Sequence, residues 1–212
     1  MPPINFIAGI FAALAAATAA PAAQPGEVLS FKNWAVGCDN GGICRAVSLT
    51  PEELGTVFDD VHGPVSIIRT AGSEDILRVR ATVHVDDIDR YRMFVDDRLV
   101  DTGPIVEGDY PIEIVGQDAR KVVQSIIQGS ELVLKGPDDK IISKISLAGS
   151  SAALRYIDQQ QARAGTKAAL VAKGSRAFQP RTIDIPLITV DHWESAALVP
   201  EATALVALAE DS

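Results

Sequence analysis

The sequence predicts an α+β fold rich in β-strand: an antiparallel sandwich or barrel with two inserted helices. Three observations carry that prediction. Short runs of alternating or continuous apolar residues recur along the chain, separated by Gly, Pro, Asn and Asp turns. Two stretches, around 118–129 and 151–164, carry helical spacing instead. Two cysteines, Cys38 and Cys44, bracket a glycine turn. No repeat of fixed period is present.

The first element is an address. Residues 1–24 carry no charged side chain. Ile4, Phe6, Ile7, Ile10, Phe11 and Leu14 form an apolar run that fades into alanine, and Ala20-Pro21-Ala22 offers a small-residue cleavage site. This is the pattern of a secretory signal peptide over residues 1–23, with the α-amino group as the positive charge of its n-region. The run is short against the roughly 20 strongly apolar residues of a span. Cleavage is therefore expected, and no membrane span in the mature chain.

The cysteine pair comes next. In an exported chain two nearby cysteines read as a disulfide. A hairpin centred on Gly41 sets Cys38 opposite Cys44 and requires an odd loop such as Asn40, Gly41 and Gly42. Three-residue loops place a glycine in the left-handed region. Trp34, Val36 and Cys38 then share a face with Cys44 and Ala46. So short a closure stabilises by about 2 kcal/mol and pins register more than it creates the fold.

Val65–Arg69 and Ile76–Val85 read as strands across Thr70-Ala71-Gly72. Tyr91–Val95 and Arg98–Val100 read as a hairpin turning at Asp96-Asp97, and Tyr110–Val115 as a further strand. Ala119, Val122, Val123, Ile126 and Ile127 form a helical stripe, with Asp118 as N-cap and Gly129 as stop. Leu132–Lys135 and Ile141–Leu147 pair across Gly136-Pro137-Asp138-Asp139. A second helix spans about Ser151 to Ala164, capped by Ser150 or Ser151 and ended by Gly165. Lys167–Lys173 reads as one more strand, Ile183–Val190 as another, and Pro200 opens a short apolar helix to Ala209. The expected organisation is a β-rich domain over 27–175 and a C-terminal appendage, strand plus short helix, over 176–212.

Charge narrows the function. The net charge is −9 and no basic block is present, which argues against nucleic-acid binding. The acids crowd around Asp86, Asp87, Asp89, Asp96, Asp97, Asp101, Glu107 and Asp109, without the spacing of a calcium loop. Zinc at the cysteine pair would need further Cys or His ligands, and the only histidines are His62, His84 and His192; five residues separate the cysteines, against two in a redox C-x-x-C pair. No nucleophile elbow, S-x-x-K pair or phosphate loop is found. No catalytic residue, cofactor or metal is therefore expected. Arg155, Asp158, Gln161 and Arg163 form the best polar group for binding, since Arg favours carboxylates. Trp34 is a candidate binding aromatic that reads more simply as a core anchor.

Phe31-x-x-Trp34-x-Val36-x-Cys38-Asp39-Asn40 followed by Cys44-Arg45-Ala46 resembles the opening of the bacterial family called domain of unknown function 1176. Ile145-Ser146-Leu147-Ala148-Gly149-Ser150-Ser151-Ala152-Ala153-Leu154, continuing through Ile157-Asp158, Gln161, Arg163, Gly165-Thr166 and Ala169-Leu170-Val171 to Gly174, is similar to its second signature. The pattern departs at Ala162, where glycine is expected. A fainter similarity to the invasion-associated locus B family rests on the F-x-x-W…C start and the S-L-x-G…A-A helix. The resemblance implies a periplasmic envelope protein of a Gram-negative bacterium and no assigned activity. The expected function is a non-enzymatic envelope binding or structural module whose partner is a protein or envelope component. The alternatives are a periplasmic hydrolase without a recognisable motif, and a secreted host-interaction factor.

Overall fold

The computed structural model describes residues 26–49, 64–73, 75–83, 88–108 and 110–180, and the backbone of three strands at 188–190, 193–196 and 205–208. The signal-peptide reading, all three histidines, Asp86, Asp87 and Asp109 lie outside the described residues.

Two open antiparallel sheets and two helices build one core; the sheets form a sandwich and do not close into a barrel. The larger sheet holds β1 (Val28–Phe31), β2 (Trp34–Cys38), β3 (Cys44–Ser48), β4 (Val65–Arg69) and β5 (Leu77–Ala81) in chain order. The smaller is built from the hairpin β6 (Arg90–Val95) and β7 (Arg98–Pro104) and the hairpin β9 (Glu131–Lys135) and β10 (Ile141–Ser146). Strand β8 (Ile112–Val115) returns to the far edge of the larger sheet beside β5. Helix α1 (Gly116–Gln128) packs on β5, β7 and β8, and α2 (Ser150–Gln160) on β1, β2 and β3. Three further strands, β11 (Ile188–Val190), β12 (Trp193–Ala196) and β13 (Leu205–Leu208), form a meander.

The turns follow from local chemistry. Cys38 and Cys44 are joined and lie opposite each other in the β2–β3 register. Asp39 N–H donates to the Ile43 carbonyl, leaving Asn40, Gly41 and Gly42 as the loop, and Gly42 takes φ +80°. Asp96 and Asp97 both have positive φ, as a two-residue hairpin needs to match strand twist. The Asp96 carboxylate then accepts the Ser130 and Glu131 N–H groups, tying this turn to the start of β9.

Trp34 is fully buried, and its indole N–H donates to the Ser146 carbonyl at 3.0 Å. The donor stands on β2 and the acceptor on β10, so this side chain fastens one sheet to the other. The apolar stripe of α1 is buried at Ala119, Val122, Val123 and Ile126, and that of α2 at Ala153, Leu154 and Ile157.

Both helix starts differ from the sequence expectation. Helix α1 begins directly off β8 with Val115 at the N-cap, so Asp118 falls in the first turn and pairs with Lys121 at 2.7 Å. Helix α2 is N-capped by Gly149 at φ +101°. The Ser150 and Ser151 hydroxyls point elsewhere: they donate to the Ile126 and Ile127 carbonyls at 3.4 and 2.9 Å. Those carbonyls belong to the last turn of α1, where intrahelical donors run out. Gly149 sits so close to the Phe31 carbonyl that any Cβ there would collide with it.

Two segments differ from the sequence expectation. Lys167–Lys173 is a chain of turns and not a strand, because the Leu170 and Val171 amides are taken by a side chain of α2. In the expected C-terminal helix, Leu205–Leu208 is the strand β13, paired with β12.

Candidate functional site

Helix α2 has two faces with different chemistry. The expected polar group is divided between them.

The inner face ends in a buried ion network. Asp158 is fully buried. Its carboxylate accepts the Arg69 Nη1–H at 2.8 Å, the Leu170 N–H at 2.9 Å and the Val171 N–H at 3.0 Å. Arg69, also fully buried, donates its Nε–H to Asp75 Oδ1 at 2.6 Å and an Nη2–H to the Ala168 carbonyl at 2.5 Å. Arg163 is ion-paired with the same Asp75 oxygen and donates to the Thr70 and Gly72 carbonyls at 3.3 and 2.8 Å. Arg120 reaches Asp75 Oδ2 from α1 at 2.5 Å. One carboxylate thus gathers three guanidinium groups.

Gln161 donates from Nε2 to the Arg69 carbonyl at 3.0 Å and to the Gly42 carbonyl, at the tip of the disulfide hairpin, at 2.9 Å. Among the described residues, Gln161 Oε1 and Arg163 Nε have no hydrogen-bond partner. The Phe178 ring covers the Arg163 guanidinium at 4.4 Å.

Burial raises the cost of ionising Asp75, but hydrogen bonds from Arg69 and Arg120 and the charges of Arg69 and Arg163 outweigh it and hold the carboxyl below its usual 3.8. Burial, then repulsion from Arg69, lowers Arg163 to about 10. Both side chains remain ionised at neutral pH. Neither carboxylate is placed to act as an acid or base, since their oxygens are engaged by guanidinium and amide donors. The network joins the β4–β5 turn, the disulfide hairpin, α1 and the segment after α2.

Helix α2 stops at Gln160. The Arg163 and Ala164 amides both donate back to the Asp158 carbonyl, and the chain reverses at Ala162 with φ +55°. This is the position where the sequence pattern expects glycine.

The outer face of α2 is different. Phe31, Ser151, Ala152, Arg155, Tyr156 and Gln159 line an open groove of about 410 Å³ between α2 and the end of β1. The Phe31 and Tyr156 rings meet with centroids 6.3 Å apart. Arg155 is exposed and makes no hydrogen bond or ion pair with a described residue. Burial, and then the charge of Glu27, raise the Tyr156 phenol, which stays protonated.

Asp158, Gln161 and Arg163 therefore come together inside the fold. Trp34 lies in the core and Arg155 stands apart on the groove. Sequence reasoning missed Arg69, Asp75 and Arg120 in the network and Phe31 and Tyr156 in the groove. Arg69 carried a signal: alternation along Val65–Arg69 turns it inward with Val65 and Ile67, and an inward arginine demands a buried partner.

Among the described residues no cluster of His, Cys, Asp and Glu could hold a metal ion. No helix there is long and apolar enough to cross a membrane.

A family model described as "Protein of unknown function (DUF1176)" matches residues 28–206. The match runs through both sheets and into the C-terminal meander. No curated protein and no solved structure matches significantly. The chain belongs to the DUF1176 family.

Proposed function

We propose that this DUF1176 chain is an exported, non-enzymatic envelope module that binds a protein or envelope component through the groove beside α2. The observation that carries this reading is the division of α2. Its inner polar residues are drawn into a buried network, while Arg155 is exposed, without a partner among the described residues, on a groove lined by two aromatic rings. An apolar floor with one placed charge is the usual composition of a binding site. The N-terminal pattern and the Cys38–Cys44 disulfide support an oxidising compartment, the periplasm. A hydrolase would need a free acid or base, and the buried Asp158 and half-buried Asp75 carboxylates are clamped by guanidinium groups.

The test is Ala152→benzoylphenylalanine in the full chain, irradiated in intact cells and followed by fractionation. A discrete adduct in the periplasmic fraction, lost when Arg155→Glu is added, is the expected result. Cytoplasmic retention would overturn the export reading. An adduct indifferent to Arg155, or none, would overturn the binding reading. Recovery of the protein in the medium would favour the secreted alternative.

A further inference from the structure

We infer that the groove takes an extended, acidic peptide segment that adds to β1 as a new edge strand. This rests on the groove being a binding site and names its occupant.

The geometry is that of a strand beside a helix. Among the described residues β1 has β2 as its one strand partner, so the other edge of β1 presents unpaired N–H and C=O groups. Phe31, the last residue of β1, lines the groove on one side, and Ser151, Ala152, Arg155, Tyr156 and Gln159 of α2 line the other. A chain lying along β1 would bond through its backbone, and every second side chain would turn toward α2. Leu29 shares the half-buried face of β1 with Phe31, so the apolar surface on the α2 side continues along the strand.

Charge identifies the kind of chain. The molecule carries a net −9, which repels acidic partners over most of its surface. The groove is a local exception, because its one charged lining side chain is Arg155. Lys32, exposed and likewise without a described partner, follows Phe31 and stands against Gly149 at the start of α2. Lys32 thus follows Phe31 and Arg155 faces it across the groove, while Glu27, whose charge reaches Tyr156, precedes β1. Two separated cations ask for two carboxylates. Acidic side chains on alternate residues supply both, whereas a chain terminus supplies one. The segment therefore bears Glu or Asp near Lys32 and Arg155 and apolar residues over Phe31 and Tyr156.

The test is fluorescence anisotropy with the full chain and a labelled peptide, acetylated and amidated. At every second position the peptide alternates valine and glutamate; the remaining residues are threonine. Saturable binding is expected, weakened at least about tenfold by Arg155→Glu with the urea midpoint of folding unchanged. The peptide with lysine for glutamate, and the one N-methylated at alternate amides, should not bind. Equal binding of the N-methylated peptide would overturn strand addition. Equal binding of the lysine peptide would overturn the charge assignment. Binding only when the peptide has a free C-terminus would overturn the side-chain assignment. If no peptide binds while the Arg155-dependent adduct from position 152 persists, the peptide inference falls and the binding reading stands. If both fail, both fall.

Discussion

Replacing Asp158 with asparagine should destabilise the fold far more than its near-identical shape suggests. The carboxylate is inaccessible to water and accepts donors from Arg69, Leu170 and Val171. Asparagine keeps one acceptor but turns an NH2 group toward these donors. It also removes one of the two described carboxylates that balance the buried Arg69 and Arg163. Breaking one partner of a buried pair costs about 3–5 kcal/mol. With a urea m-value of roughly 2 kcal/mol/M, the midpoint should fall by about 2 M. That is a large part of the ~5–15 kcal/mol that holds a domain together.

The assay is urea unfolding followed by tryptophan fluorescence and, in parallel, amide exchange at Leu170 and Val171. Both amides should lose protection in Asp158→Asn even where the protein stays folded. The paired change Arg69→Met with Asp158→Leu should cost less than the sum of its single changes, since it leaves no unpaired buried charge. A loss below about 1 kcal/mol for Asp158→Asn, the level of an exposed pair, would refute the view that this network holds the segment after α2.

Three other outcomes follow from the same structure. Ala162→Gly should raise stability by about 0.5–1 kcal/mol, because a left-handed alanine costs ~1–2 kcal/mol and glycine returns only part of that as unfolded-state entropy; a lower urea midpoint would contradict this. The double change Cys38→Ser with Cys44→Ser should cost about 2 kcal/mol, as expected for so short a loop, while far-ultraviolet circular dichroism stays native; a wholly unfolded chain would show that the bond does more than pin register. The lowered Asp75 carboxyl sets an acid limb. Below about pH 4 the unfolded chain protonates Asp75 before the folded one does, so its stabilisation is complete above that pH and drains away as the pH falls through the folded value. In urea unfolding repeated across that range, Asp75→Asn should show a shallower acid loss than the native chain, and an equally steep loss would contradict it.

Much of the fold was legible because its signals are local. Cys38 and Cys44 around two glycines fix a hairpin register, Asp96-Asp97 tolerates the positive φ of a tight turn, and the Ala119–Ile126 stripe announces an inward helix face. The failures share one cause: partners distant in the chain. Ser150 and Ser151 have the chemistry of caps, but α1 offers them unsatisfied carbonyls. The alternation of Lys167–Lys173 resembles a strand, yet its amides are captured by Asp158. Asp158, Gln161 and Arg163 of the polar set meet in a buried clamp, whose partners Arg69 and Asp75 lie far away in the chain. The expected glycine at Ala162 has a physical basis, because the chain reverses there with positive φ.

In the proposed function, α2 clamps the fold with one face and binds with the other. Amide chemical-shift mapping of the isotope-labelled full chain during titration with the acidic peptide separates the two faces. Shifts confined to Val28–Lys32 and Ser151–Gln159, with Leu170, Val171 and the amides of the β4–β5 turn unmoved, are the predicted result. Shifts centred on Leu170, Val171 and the residues around Asp75, with the groove silent, would contradict it.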